Sequence, residues 1–165
     1  MLDAMEDSVS YAQWTVRADP SLTQNAYKAI ESGSADTCDC ANCEHWLRIR
    51  DDVLPAEFQE FLRKLGIDAS KEHDISEYEG GTIVHGRCLY VGVYYCAGVV
   101  LDGPDATTVH ETGTEYSTET HEIEPGFKVG ISSNVPNSFV PSPFNPRSSI
   151  QVTFEIHTPC PDADA

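Results

Sequence analysis

The sequence predicts an α+β fold, with N-terminal helices packed on a C-terminal antiparallel β-sheet or small β-sandwich. Apolar residues recur at helical spacing over about residues 19–73 and alternate at strand spacing over about residues 74–157. The 165 residues suit a single domain over residues 1–160, with a polar tail at 158–165. No internal repeat is visible.

The N-terminal part opens with one predicted strand and continues with a helix. Residues 9–16 are rich in β-branched and aromatic side chains, which favour a strand. Asp19 and Pro20 suit the N-cap and the first position of a helix, and Gly33 can end it in the left-handed conformation. The predicted apolar stripe of this helix is Leu22, Ala26 and Ile30.

Two further predicted helices are separated by Pro55. The residue before a proline avoids the α region, so the second helix should end at Leu54. Its apolar face carries Trp46, Ile49 and Val53. Pro55 then starts a third helix, which Gly66 can close. The apolar stripe of the third helix is Phe58, Phe61, Leu62 and Leu65.

From about residue 74 the pattern changes to strands. Residues 75–78 and 82–84 flank Gly80 and Gly81, which indicates a hairpin. Residues 88–101 are the most apolar run of the chain, with an apolar residue at every odd position. This run predicts one long, bent central strand, or two strands parted near Gly92.

The last third of the chain predicts a hairpin, a long loop and a final strand. Residues 102–124 are rich in Thr and Glu and should form a strand pair around Thr112 and Gly113. Phe127, Val129 and Ile131 alternate inward. The Pro-, Ser- and Asn-rich stretch 132–146 is long enough for a lid or a surface feature. Residues 150–156 alternate cleanly and predict the final strand.

The charge is strongly acidic, with 27 acidic against 10 basic residues and a net charge of −17. Such a field repels nucleic acids and anionic membrane surfaces, and it attracts a basic protein. Seven of the carboxylates fall within residues 102–124, which contain no Lys or Arg. This segment predicts either a solvated face that keeps the protein soluble or a docking face for a basic partner.

The sequence carries no export or membrane signal. Residues 1–7 are acidic and contain no apolar run, so they do not form a secretory signal. No segment approaches the roughly 20 apolar residues of a membrane span. We therefore expect a cytoplasmic protein in a reducing compartment, where the six cysteines are thiols or metal ligands rather than disulfides.

Three of the cysteines, Cys38, Cys40 and Cys43, form a C-x-C-x2-C segment between the first two helices. On an extended segment Cys38 and Cys40 point to the same side, and C-x2-C spacing lets two thiolates reach one tetrahedral ion. The positive end of the following helix also favours thiolates. The segment predicts a zinc site, with plain reduced thiols and redox chemistry as alternatives.

The fourth ligand has no local signature. If residues 43 onward are helical, His45 lies about 200° around the helix axis from Cys43 and cannot join it on one ion. The more distant candidates are Cys88, Cys96, His73, His85 and Cys160.

A second set of metal-binding or acid–base residues is possible at His110–Glu111 and His121–Glu122, which could meet across a hairpin. A solvated polar face explains the same residues. The sequence contains no G-x-S-x-G, P-loop or H-E-x-x-H motif, which lowers the expectation of an enzyme without removing it. The aromatic residues Trp14, Trp46, Tyr90, Tyr94 and Tyr95 predict core packing or the lining of an apolar pocket.

Several short stretches together resemble a family of uncharacterised bacterial proteins. They are YKAI at 27–30, the C-x-C-x2-C segment, P-x-E-F at 55–58, L-G-I-D at 65–68 followed by Lys71–Glu72, and QVTF at 151–154. The resemblance covers about residues 25–154 and implies a single domain but no particular activity. It also implies that Asn often stands at the position of His45, which speaks further against His45 as a ligand.

Three functions follow from these observations. The first is a non-catalytic acidic binding domain, stabilised by a structural zinc, that contacts a basic protein as immunity proteins and inhibitors do. The second is a metal- or thiol-dependent enzyme of unknown reaction. The third is a β-sandwich that binds a small ligand in an apolar cavity under the tyrosine-rich strand.

Overall fold

The three helices lie before the long run of strands, as the sequence predicts. The computed structural model describes residues 8–78 and 87–160. Its helices are α1 (Pro20–Ala29), α2 (Ala41–Val53) and α3 (Ala56–Lys64). Its strands are β1 (Ser8–Tyr11), β2 (Trp14–Ala18), β3 (Asp74–Tyr78), β4 (Arg87–Asp102), β5 (Thr107–Val109), β6 (Tyr116–Thr118), β7 (His121–Glu124), β8 (Phe127–Ser132) and β9 (Ser149–Pro159). The predicted α+β fold is confirmed.

The sheet is built around β4, which is one continuous strand, the first of the two arrangements that the sequence predicts. Within the described ranges, seven strands form an antiparallel sheet in the order β1-β2-β4-β9-β8-β7, with β3 also paired to β4. The N-terminal half of β4 pairs with β3, the C-terminal end pairs with β2, and residues 87–97 pair with β9. The separate β5–β6 hairpin completes the strands of the described part.

The helices cover the face of the sheet that carries the even-numbered residues of β4. Tyr90 and Tyr94 are buried there, and the Tyr90 ring contacts Trp46 of α2 at 5.0 Å between centroids. Gly92 lies between the two tyrosines, and a Cβ at this position would come within 2.2 Å of the Phe154 ring. Glycine is therefore required here, because the Phe154 ring occupies the space of its side chain.

The five aromatic residues named in the sequence are core residues. Trp14, Trp46, Tyr90, Tyr94 and Tyr95 are each at most 1% exposed. The polar atoms of the tyrosines bond to backbone carbonyls, since the Tyr90 hydroxyl donates to Asn42 O and the Tyr94 hydroxyl to Ala69 O. The tyrosines thus tie the sheet to the segments packed on it without leaving a buried hydroxyl unpaired.

Helix α1 begins as predicted but buries other residues. Asp19 caps it by accepting a hydrogen bond from Leu22 N, and it ends at Ala29 before reaching Gly33. The predicted stripe was wrong at Leu22, which is 52% exposed. The helix instead buries Thr23 and Tyr27, because their hydroxyls bond to the backbone of β4 at Ala97 N and Tyr95 O. The spacing of apolar residues does not predict the burial of side chains that are held by hydrogen bonds of their hydroxyls.

Helix α3 follows the sequence pattern closely. It buries Phe58, Phe61 and Leu62, and Gly66 follows it with a left-handed φ of 83°. A Cβ at Gly66 would lie 2.4 Å from Pro20 O, so the turn also brings α3 against the start of α1. Phe58 packs edge-on against Phe154 at 5.8 Å.

The N-terminal strand is a hairpin rather than the single strand predicted over residues 9–16. Strands β1 and β2 pair antiparallel, and Ala12 between them adopts a left-handed φ of 50°. The turn lets the Tyr11 ring stack on Phe61 of α3 at 4.7 Å between centroids. The sequence has no glycine there that would predict the turn.

The C-terminal strand is longer than predicted. β9 extends to Pro159, and Thr158 is buried, so the polar tail does not begin at Thr158. Cys160 then forms a disulfide with Cys88, across 72 residues of chain. The expectation that the cysteines are thiols or metal ligands is wrong for this pair. A loop of this length gives a stabilisation of about 4 kcal/mol in the chain-entropy view.

The β5–β6 hairpin lies over the outer face of the sheet, opposite the helices. Thr107 Oγ1 donates to Ser132 Oγ of β8, and Thr118 Oγ1 donates to the Gln151 side chain of β9. Gly130 makes this layer possible, since a Cβ there would meet Glu119 O at 2.4 Å. The predicted strand pair around Thr112 and Gly113 is confirmed.

The second half of the hairpin predicted around Gly80 and Gly81 lies outside the described residues. None of the helices described is long and apolar enough to cross a bilayer.

We expect Phe58→Ala to lower the free energy of unfolding by about 3–5 kcal/mol, because it empties a fully buried ring site. The control is Leu22→Ala, which removes an exposed side chain and should cost less than about 0.5 kcal/mol. Urea titration measures both values. Similar losses for the two variants would contradict the packing described here.

Candidate metal centre

Cys38, Cys40 and Cys43 converge as the sequence predicts. Their sulfur atoms all lie within 4.8 Å of one another, and Cys38 Sγ is 3.2 Å from Cys40 Sγ. Cys40 is exposed, whereas Cys38 and Cys43 are half-buried. Three sulfurs at this spacing can hold a single metal ion between them.

The cluster takes its shape from the start of α2. Cys40 is the N-cap of this helix, and its sulfur accepts a hydrogen bond from Cys43 N at 3.4 Å. A sulfur therefore occupies the place that a Ser, Thr, Asp or Asn oxygen usually takes at an N-cap. The free backbone N–H groups and the positive end of the helix dipole favour negative charge at this position.

A buried carboxylate fixes the loop that carries Cys38. Glu72 is 1% exposed, and its two carboxylate oxygens accept from Ala35 N and from Arg50 Nη1, each at 3.3 Å. Its backbone carbonyl accepts from Ser34 N at 2.9 Å. Burial raises the pKa of Glu72, while the Arg50 charge acts against that rise. Because Arg50 belongs to α2, Glu72 joins the loop before the cluster to the helix after it.

The two cysteines of the C-x2-C pair differ in their protonation. Hydrogen bonds from the Cys43 backbone and from the Cys38 thiol lower the pKa of Cys40. Burial, together with hydrogen bonding to the other two cysteines, raises the pKa of Cys43 to about 12. In the metal-free cluster the negative charge therefore resides preferentially on Cys40, and a bound cation would draw thiolates from its neighbours as well.

None of the candidate fourth ligands that the structure describes joins the cluster. Cys88 and Cys160 are bonded to each other, so neither offers a free sulfur. Cys96 is fully buried in the core. The ring of His73 packs edge-on against Tyr95. Over the described ranges, the three cysteines are the one group of at least three Cys, His, Asp or Glu that can hold a metal ion.

His45 does not approach the cluster, as its helical position predicts, and its Nε2 lies 3.0 Å from Pro159 O instead. His85, the remaining candidate for the fourth ligand, lies outside the described residues.

The His110–Glu111 and His121–Glu122 pairs do not face each other across one hairpin. His110 follows β5, which pairs with β6, whereas His121 belongs to β7, which pairs with β8. The His121 ring packs edge-on against Trp14 at 5.7 Å. The two pairs therefore belong to different hairpins and do not form the shared site that the sequence offered.

The acidic segment is largely exposed. Of its seven carboxylates only Asp105 is half-buried, and it accepts hydrogen bonds from Ser132 Oγ and from the backbone and hydroxyl of Ser133. Asp105 therefore holds two chain segments together. The exposed members are Asp102, Glu111, Glu115, Glu119, Glu122 and Glu124.

The role of Glu72 is the part of the site that sequence reasoning missed. It stands between Lys71 and His73 in a polar stretch, where nothing marks it as buried. Only the fold brings Arg50 and Ala35 to it.

Comparison of this chain with protein-family models, with curated proteins and with solved structures finds no match. The resemblance to a bacterial family stays a prediction.

In reduced, metal-free protein we expect iodoacetamide to modify Cys40 at lower pH than Cys43. Only the thiolate reacts, so a lowered pKa exposes Cys40 to modification first, while a pKa of about 12 keeps Cys43 protonated in the same range. Tandem mass spectrometry of the peptide that contains both residues, over a pH series, measures the two profiles. Coincident profiles would show that the cluster does not polarise Cys40.

Proposed function

We propose that this protein is a non-catalytic interaction domain that binds zinc through Cys38, Cys40 and Cys43 and docks a basic protein partner, as immunity proteins and inhibitors do. The observation that carries the proposal is the exposed acidic segment. Six carboxylates of residues 102–124 face solvent, and no Lys or Arg lies among them. Solubility is a simpler explanation of the same exposed charges than docking of a partner.

The acidic segment is suited to speeding association. Glu111 and Glu115 lie in the turn of the β5–β6 hairpin, and Glu119 follows that hairpin. Like charges held close together on one exposed element repel one another, and a basic partner relieves that repulsion on docking. Such charge complementarity raises association rates more than it raises affinity.

Zinc suits the cysteine cluster better than a hard cation does. Thiolates prefer soft or borderline ions, whereas calcium and magnesium take oxygen ligands. An ion at the cluster would link Cys38, which the loop carries, to Cys43, which the first turn of α2 carries. The ion would then add to the bonds that Glu72 makes to Ala35 and Arg50, and both would stabilise the connection between the loop and α2.

A second function, a metal- or thiol-dependent enzyme, rests on a different observation. Cys40 is exposed, its pKa is lowered, and among the described residues only three donors meet at the cluster. Structural zinc sites use four protein ligands, whereas catalytic sites keep one position open. The ligand count of the loaded protein discriminates between the two functions.

The test of partner docking is a capture experiment at low and high salt. We expect wild-type protein to retain a basic partner from its source lysate at low salt and to lose it as screening increases. The test variant changes four exposed carboxylates to Gln, at Glu111, Glu115, Glu119 and Glu122. Its matched control has the same net charge and changes four exposed carboxylates elsewhere, as Glu31→Gln, Asp52→Asn, Glu57→Gln and Glu60→Gln.

Loss of capture in the test variant but not in the control would support docking through the acidic segment. Equal capture by all three proteins, or capture that does not respond to salt, would refute the proposal.

A further inference from the structure

The outer face of the sheet carries a groove of about 430 Å³. Its floor includes Leu89, Val91 and Val93, the odd-numbered residues of β4, which point to one side because a strand alternates. β3 borders the groove on one side, and β6 with the residues after it borders the other. The sequence predicts this apolar strip, and the structure leaves it half-buried.

The groove is held open by a polar network at its hairpin end. The Gln151 amide donates to the hydroxyls of Tyr95 and Tyr116, and its carbonyl accepts from Thr118 Oγ1 at 2.6 Å. Tyr95 and Thr118 belong to different layers, the sheet and the hairpin. Gln151 therefore fixes the height of the hairpin above the floor, so the groove is a built feature rather than a gap between loose segments.

The lining of the groove is acidic. Among the described residues it contains the carboxylates of Asp74 and Glu155 and no Lys or Arg. Glu155 also accepts a hydrogen bond from Thr120 Oγ1. An aliphatic floor between two carboxylates suits a ligand that combines apolar groups with positive charge.

The groove continues across the sheet. A neighbouring depression of about 360 Å³ shares Leu89 and Glu155 with it and adds Glu122, Lys128 and His157. Lys128 lies opposite both Glu122 and Glu155 in the strand register. Carboxylates therefore outnumber the lysine among the described residues of the two depressions. Because the depressions share Leu89 and Glu155, one extended chain can occupy both, which favours it over a small molecule.

We propose that this groove binds an extended segment of the protein partner in which aliphatic and basic residues alternate. The aliphatic side chains would pack on the strip of Leu89, Val91 and Val93. The basic side chains leave the opposite side of the extended segment, and their long flexible stems would bend over its edges to reach Asp74 and Glu155. The inference rests on the proposed function, since it names the surface where the basic partner is recognised.

The probe is a fluorescent synthetic peptide of alternating lysine and valine, and its binding is followed by anisotropy. A peptide of the same composition, with its lysines in one block and its valines in another, serves as the comparison. Both peptides carry the same charge, so a preference for the alternating peptide reports the groove rather than the net charge of −17. We expect the alternating peptide to bind roughly tenfold more tightly.

The main variant is Val91→Trp, which fills the groove without changing charge and places a residue of high strand propensity in β4. We expect it to weaken binding of the alternating peptide roughly tenfold. Its matched control is Val109→Trp, because Val109 is an exposed strand residue that does not line the groove. Asp74→Asn, at an exposed position, tests the charge independently of any packing defect that Val91→Trp introduces.

Unchanged affinity in both Val91→Trp and Asp74→Asn would overturn the inference. So would full competition by hexylamine at the concentration of the peptide, because the groove would then be a site for small amines. The proposed function fails separately. If binding falls with salt and with the four Glu→Gln changes but ignores the groove variants, the partner docks elsewhere on the acidic surface. If no basic ligand binds in a salt-dependent way, docking itself is refuted.

Discussion

The Phe154 ring occupies the space left by the missing side chain of Gly92, and both helices that cover the sheet depend on this contact. Phe154 stacks on Trp46 of α2 at 5.6 Å and on Tyr94 of β4 at 5.9 Å. It also packs edge-on against Phe58 of α3. Since interiors are close-packed, any side chain at Gly92 would displace the ring and move α2 and α3 with it.

The candidate metal centre depends on that packing indirectly, through the position of α2. Trp46 sets the position of α2, and the first turn of α2 positions Cys40 and Cys43. The loop carrying Cys38 is held to the same helix, through the bonds that Glu72 makes to Ala35 of the loop and to Arg50 of α2. The packing of α2 and the Glu72 bonds together determine where the three sulfurs meet, which explains how an exposed cysteine can be part of a defined cluster.

The sequence predicts those features that local chemistry determines. The stripe of α3, the end of α2 before Pro55 and the convergence of the three cysteines all follow from spacing within a few residues. The features that it does not predict depend on contacts between distant segments. Thr23 is buried because β4 offers Ala97 N to its hydroxyl, and Cys160 pairs with Cys88 because β9 runs beside β4.

The side of β4 that the helices cover also depends on contacts between distant segments. Alternation correctly identifies an apolar strip at the odd positions, but it does not predict which face of the strand packs against the helices. The even positions are buried against the helices because the tyrosines there find carbonyl partners in α2 and in the loop after α3. Three of the odd positions, Leu89, Val91 and Val93, are left to the outer groove, whereas the sequence predicts that both faces of the strand can be covered.

The central claim is that the cysteine cluster binds zinc, and X-ray absorption spectroscopy of protein purified without a polyhistidine tag tests it most directly. Our account predicts one zinc ion per chain with three sulfur neighbours at about 2.3 Å. A fourth ligand from the protein would favour a structural ion, and a water oxygen would favour the enzymatic alternative. Protein that carries no zinc and takes up none when it is added, or zinc with fewer than three sulfur ligands, would contradict the account.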